Sequence, residues 1–227
     1  MERMQSSFID SSAEIKPVNP LIERYMRDLI LQTDHSILIE MEEFARVRNF
    51  PIVNRLVGVF LYTQAKMINA KRVFEFGSGF GYSAYWFAKA VGSDGCVICS
   101  DTDVANLERA DKYLSAVDLW PRIEFNVDIA QDVFARTDGL FDICYNDVDK
   151  VDYPRIWLMA KKRIRSGGLY IADNVLWHGQ VIRENTADAV SLSAEAILEH
   201  NQLIFQDTAF DAFINPVRDG VIVARKK

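Results

Sequence analysis

The stretch RVFEFGSGFGYS, Arg72–Ser83, runs from an apolar strand into glycines on alternate positions and then into a helix-forming segment. Gly77, Gly79 and Gly81 permit a sharp turn and a close backbone approach to a ligand, while the start of the next helix offers free N–H groups. A tight strand-to-helix turn alone would use glycine in the same way. The spacing is G-x-G-x-G, with Tyr82 standing where a dinucleotide fingerprint needs its last glycine, and no G-K-[ST] follows as in a P-loop. Glu75, two residues before the first glycine, would repel a pyrophosphate. The loop therefore suits a ligand without phosphates.

Outward from this stretch the chain alternates strand and helix. CVICSD (Cys96–Asp101) and the helix Asp103–Asp118 come next, then RIEFNV (Arg122–Val127) with the short helix Ala130–Arg136. FDICYND (Phe141–Asp147), the helix Tyr153–Ile164 and GGLYIAD (Gly167–Asp173) complete five βα units, which predict a parallel sheet covered by helices on both faces. A helix over Asp188–Gln206 then precedes TAFDAFINP (Thr208–Pro216) and GVIVARK (Gly220–Lys226). The turn signal VRDG joins these two as an antiparallel hairpin, so the expectation is an α/β fold with seven mostly parallel strands. Upstream, Asn19–Leu31, Asp34–Arg48 and Asn54–Asn69 have helical apolar spacing, with Asn19–Pro20 and Asp34 as start signals. Residues 1–50 read as an N-terminal helical extension and 51–227 as one globular unit, without repeat or linker.

The totals narrow the class. A chain of 227 residues with 49% hydrophobic and 26% charged residues suits a single soluble domain. A net charge of −6 argues against broad binding to nucleic acid or anionic membrane. No leader has an apolar h-region and no apolar run approaches the ~20 residues of a spanning helix, so the expected location is cytoplasmic. The 3 cysteines suit a reducing compartment. Cys96 and Cys99 form C-x-x-C, but on a strand they face opposite sides and cannot grip one metal.

The strand ends carry the chemistry. Asp101, closing the second strand, follows the glycine loop at about the 20-residue distance where dinucleotide folds place an acid for ribose hydroxyls. Asp101 could instead cap the following helix, although Asp103 is better placed for that. A nucleoside whose other end is cationic fits these carboxylates, and S-adenosylmethionine is such a ligand. Asp147 closes the fourth strand and Asp173 the fifth, and neighbouring strands lie about 4.8 Å apart. Two carboxylates that close conflict unless a cation lies between them. With the amide of Asn174 they form an oxygen donor set suited to Mg²⁺ or Ca²⁺ rather than zinc. Asp173 and Asn174 could also merely turn the chain. Lys150, three residues beyond Asp147, is a candidate general base at the rim, or else a solvated surface lysine.

FEFGSGFGYSA, FDICYNDVDKVDYP and GGLYIADNVLWHGQV together closely resemble the cation-dependent O-methyltransferases of the catechol and caffeoyl-CoA type, over roughly residues 50–227. The resemblance implies a Rossmann-like class I methyltransferase fold, S-adenosylmethionine as donor, and a divalent cation, Mg²⁺ first with Ca²⁺ or Mn²⁺ as alternatives. It implies Asp147, Asp173 and Asn174 as metal ligands, and Lys150 with Asp147 as catalytic. It places Glu75, Gly77, Ser78, Gly79, Tyr82, Ser83, Asp101, Thr102, Asp128, Ile129, Gln131 and Asp147 in donor-binding segments, with Ile52 and Asn54 over the methionine end. Trp177 falls in the acceptor wall, and His178, unlike His35 and His200, lies beside it.

Some positions depart from the family. Asn146 stands where an aliphatic residue is usual, Ala130 where the mammalian catechol enzyme has serine, and Ile222 where it has an acid. The implied acceptor is a small phenol with vicinal hydroxyls, and a homodimer is expected. A hydroxylated nucleoside in tRNA is the alternative acceptor, with the basic run KKRIR (Lys161–Arg165) in its favour, although that run could equally complement the end of the preceding helix. A noncatalytic donor-binding protein is a third reading, disfavoured by the intact triad and lysine. The N-terminal helices pack on the core or form an interface and acceptor lid.

Overall fold

The computed structural model describes residues 16–30, 36–182 and 191–227. Three helices lead: α1 (Pro20–Ile30), α2 (Ser36–Arg48) and α3 (Arg55–Met67). The alternating part follows as β1 (Arg72–Phe76), α4 (Tyr82–Val91), β2 (Cys96–Asp101), α5 (Val104–Ser115), β3 (Ile123–Val127) and α6 (Ala130–Arg136). It continues with β4 (Phe141–Asn146), α7 (Tyr153–Ala160), β5 (Ile164–Ala172), α8 (Leu192–Phe205), β6 (Phe210–Asn215) and β7 (Val221–Lys226). The seven strands form one sheet in the order β3-β2-β1-β4-β5-β7-β6. The first five are parallel, and β7 lies antiparallel between β5 and β6. The α/β sheet with a terminal hairpin is thus the arrangement that the pattern predicts.

The strands are nearly continuous apolar runs because both faces are covered, and alternation distributes their side chains between two cores. Val73, Cys99, Ile143, Tyr145 and Ile171 pack with residues of α2, α3, α4 and α5. Phe74, Phe76, Cys144, Tyr170 and Ala172 pack on the other face with α6, α7 and α8. Cys96 joins this second face, so the two cysteines of C-x-x-C point apart as expected. α2 buries Ile37, Leu38, Met41 and Ala45, whereas α1 has no buried residue. Asn19 caps α1 as read, its Oδ1 accepting from Leu21 N at 2.9 Å. Asp34, His35 and the first residues of the helix expected from Asp188 lie outside the described residues.

The basic run differs from its reading. α7 ends at Ala160 and β5 begins at Ile164, because Ile164 pairs with Phe141 across an irregularity in the β4–β5 register. Arg163 therefore complements the end of α6, not of α7. Its guanidinium donates to Phe134 O at 2.6 Å, to Thr137 O, and to Gly139 O at 2.9 Å. Lys161 pairs with Asp207 at 2.8 Å, and Arg165 with Asp142.

Candidate active site

The strand order reverses between β1 and β4: from β1 the chain moves outward through β2 and β3, and from β4 it moves the other way. Ligands of open α/β sheets bind at such a point, outside the strands' carboxyl ends. A cavity of about 940 Å³ opens there. It holds the glycine loop on one side and the residues after β4 and β5 on the other.

Gly77, Gly79 and Gly81 have φ of +80°, +49° and +89°, which side-chain-bearing residues rarely adopt. At Gly77 a Cβ would also lie 2.8 Å from Asp147 O, so the loop can lean against the end of β4 only because nothing projects there. Ser78 N donates to Ser100 O at 2.9 Å and Gly79 N to Asp101 Oδ2 at 3.0 Å. Asp101 Oδ1 in turn accepts from Asp103 N at 2.9 Å and Asn106 Nδ2 at 3.0 Å. Asp101 therefore organises the loop as well as lining the cavity, and Asp103 caps α5.

Most expected donor-side residues share this cavity. Ile52, Gly77, Ser78, Gly79, Tyr82 and Ser83 line it, as do Asp101, Thr102, Asp128, Ile129, Gln131 and Asp147. Asn54 and Glu75 do not. Asn54 caps α3, accepting from Val57 N at 3.0 Å, and donates to Glu23 at 3.3 Å. Glu75 is wholly buried beneath the loop. Burial pushes its carboxyl up to about 7, against the pull of the Ser83 and Ser78 hydroxyls and the Cys99 thiol. Asp128 accepts from Arg136 at 2.6 Å, which holds its carboxyl below the usual range.

A partly buried network that sequence reasoning missed supports Tyr82. Its hydroxyl donates to Glu42 Oε1 at 2.6 Å, and Glu42 receives Arg55 through Nε at 2.7 Å and Nη2 at 3.2 Å. Burial, then Glu42, pushes the Tyr82 phenol up. Nothing local distinguishes Glu42 or Arg55 from ordinary surface charges of amphipathic helices.

Across the cavity from the glycine loop, Asn146 and Ala172 are register partners, which brings the next residues, Asp147 and Asp173, to adjacent strand ends. Lys150 occupies a short 3₁₀ turn after β4. Its Nζ donates to Asp147 Oδ1 at 3.0 Å and to the Tyr153 hydroxyl at 2.7 Å. The Tyr153 hydroxyl donates in turn to Asp173 O at 3.0 Å. Asp173 is fully buried and is not among the residues that line the cavity, unlike Asp147 and Asn174. Its Oδ1 accepts from Asn174 N at 2.8 Å and its Oδ2 from Arg218 Nη1 at 3.1 Å. Burial and Asp147 push it up to about 6, while Arg218 pulls the other way.

Asn174, Trp177 and His178 line the cavity, with φ of +58°, +45° and +54°. This strained segment is held by the β6–β7 turn: Val175 N donates to Gly220 O, Leu176 N to Asp219 O, and His178 N to Asp219 Oδ1 at 2.7 Å. His200 lies apart, buried against Tyr170 at 3.0 Å, with burial pushing it down to about 4. The unusual Asn146 likewise spends its amide on Tyr170, at 3.0 Å. Among the described residues no three His, Cys, Asp or Glu side chains gather as a metal group. The cluster at the strand ends is two carboxylates and an amide, an all-oxygen set chemically suited to a hard cation.

Comparison with known proteins places this geometry. The profile of the O-methyltransferase family matches residues 28–227. A catechol O-methyltransferase of Niastella koreensis is 28% identical over 198 residues, 85% of this chain and 88% of that one. A caffeoyl-CoA O-methyltransferase of Medicago sativa is 25% identical over 217 residues, covering 91% and 88%. The crystal structure of an O-methyltransferase from Bacillus cereus in complex with SAH superposes with a TM-score of 0.80 at 26% identity, covering 91% of this chain and 97% of that one. The chain belongs to the O-methyltransferase family, as an S-adenosylmethionine-dependent class I enzyme.

Proposed function

We propose that the protein moves the methyl group of S-adenosylmethionine to one hydroxyl of a small vicinal dihydroxy aromatic, with a divalent cation at Asp147, Asp173 and Asn174. The observation that carries this reading is a single cavity bounded by the glycine loop and Asp101 on one side and by Asp147, Lys150, Asn174 and Trp177 on the other. Donor and acceptor would meet there without crossing solvent. The glycine backbone and the acidic lining suit a ligand that has a cationic end and no phosphates. Asp147, Asp173 and Asn174 are all hard oxygen donors, which favours Mg²⁺, with Ca²⁺ and Mn²⁺ as alternatives. A divalent cation there supplies charge that lowers the pKa of a hydroxyl beside it.

The chain's own groups do the rest. Lys150, its side chain 10% exposed at the cavity wall, donates to Asp147, Val148 O and Tyr153 as an ammonium; it serves as base after losing one proton to solvent, and then accepts the hydroxyl proton. The acceptor oxygen then bonds to the methyl carbon as the carbon–sulfur bond breaks, and S-adenosylhomocysteine leaves. Alignment of the two reactants is the main source of rate. Trp177 and His178 form the acceptor wall. Nothing favours a tRNA acceptor, because Lys161, Arg163 and Arg165 of the basic run are committed to Asp207, the end of α6 and Asp142.

Release of S-adenosylhomocysteine, followed chromatographically with catechol, caffeate or phenol as acceptor and either Mg²⁺ or EDTA, tests this. Catechol and caffeate should turn over with Mg²⁺ only, and phenol not at all. Equal turnover in EDTA would remove the cation from the reaction, and phenol reacting as fast as catechol would remove the vicinal requirement.

A further inference from the structure

Two ion pairs meet at the ends of β4 and β5. Asp147 is paired with Lys150 at 3.0 Å and Asp173 with Arg218 at 3.1 Å, so each of these carboxylates already has a cationic partner, with the buried Asp219 beside both cations. Asp173 is fully buried, and a lone carboxylate there would carry a heavy desolvation cost. One of its oxygens, Oδ1, accepts from the Asn174 backbone N–H. Arg218 sits on the other, Oδ2, at 3.1 Å.

The two cations are built differently. Lys150 is only 10% exposed and donates to Asp147, Val148 O and Tyr153. Arg218 is 32% exposed and donates to Asp173 Oδ2. It projects from the β6–β7 turn at φ +54°, in a region that L-residues avoid, and its neighbours Asp219 and Gly220 clamp that turn to the 174–178 segment. The backbone is therefore fixed, aiming a long, partly exposed side chain at the buried Asp173. Arginine keeps its charge at any working pH, so this pairing does not relax by deprotonation.

We infer that Arg218 is the built-in counter-ion of the cation site: it neutralises Asp173 while the site is empty and must release Oδ2 for a divalent ion to bind, so it sets the site's ion affinity. This rests on the metal-dependent reading above. Arg218 and the ion compete for the same oxygen and also repel each other around the buried Asp173. Binding of an ion thus exchanges one cation for another, and the chain holds ions less tightly than its oxygen donors alone would.

The test is Mn²⁺ binding by the full-length protein, read from the electron paramagnetic resonance signal of free Mn²⁺, for wild type, Arg218→Lys and Arg218→Met. Arg218→Met should bind Mn²⁺ about ten- to a hundredfold more tightly than wild type, with Arg218→Lys between them. A structural defect would weaken binding, so a gain in affinity is specific to competition. Unchanged or weaker affinity in Arg218→Met, beside measurable binding by wild type, overturns the inference and leaves the metal reading standing. Mn²⁺ left free by all three proteins overturns the metal reading itself. Thermal melting gives a second readout should Arg218→Met be unstable. Its melting temperature should rise more on adding Mn²⁺ than that of wild type, and an equal rise counts against the inference.

Discussion

Glu75 is a carboxylate with no access to water, and its pKa near 7 makes it a pH-dependent burden on the fold. Its folded value lies above the ordinary glutamate value of 4.5, so the native state holds the proton more tightly than the unfolded chain between those pH values. Wild type should therefore lose stability relative to Glu75→Gln as pH rises from about 4.5 to 7, by up to about 3 kcal/mol, and the difference should level off above that. Melting temperatures of both proteins across this range check the sign, and a gap that widens toward acid would contradict it. Lys150 invites a second substitution at the same scale. Lys150→Met removes the proposed base while leaving the glycine loop intact, so kcat should fall about 10²- to 10⁴-fold with donor affinity unchanged by calorimetry. Wild-type kcat in this variant would release Lys150 from that role.

Among elements, α2, α3 and α4 meet at one polar knot. Arg55 is 4% exposed and depends on Glu42, which also holds the Tyr82 hydroxyl at the cavity wall. Glu42→Ala leaves the guanidinium buried without its partner. Because Glu42 itself is 34% exposed, water offsets part of the loss, and the expected cost is about 1–3 kcal/mol by urea denaturation. The double substitution Glu42→Ala with Arg55→Met should recover much of it; additive losses would show that the two act separately. This knot was illegible in the sequence because each of its members looks ordinary in its own helix. Elements themselves were legible where periodicity is strong, as in β1, β2 and β4. The start of β5 was not, since Ile164 and Arg165 continue the apolar-basic spacing of α7 and only pairing with Phe141 turns them into strand.

For the whole molecule, the sheet order follows from the βα rhythm, and adjacency of β4 and β5 is enough to bring Asp147 and Asp173 together. That part of the site could be read from sequence because it depends on register alone. Arg218 could not, since only the clamp between the β6–β7 turn and residues 174–178 carries it to Asp173. The same global view exposes a charge asymmetry. The chain has a net charge of −6, and acidic side chains outnumber basic ones around the cavity, among them Asp101, Asp128, Asp149 and Asp152. S-adenosylmethionine carries a net positive charge that S-adenosylhomocysteine lacks. A negative, recessed site attracts the first at a distance and is indifferent to the second, and salt screens that attraction within about 10 Å. Raising NaCl from low to physiological strength should therefore lower kcat/KM for the donor by a factor of about 2–10 while leaving the inhibition constant of S-adenosylhomocysteine nearly unchanged. Steady-state kinetics over a salt series measures both. Parallel weakening of donor and product would mean that salt acts on the fold or on shared contacts, and that the field of the whole molecule does not select between them.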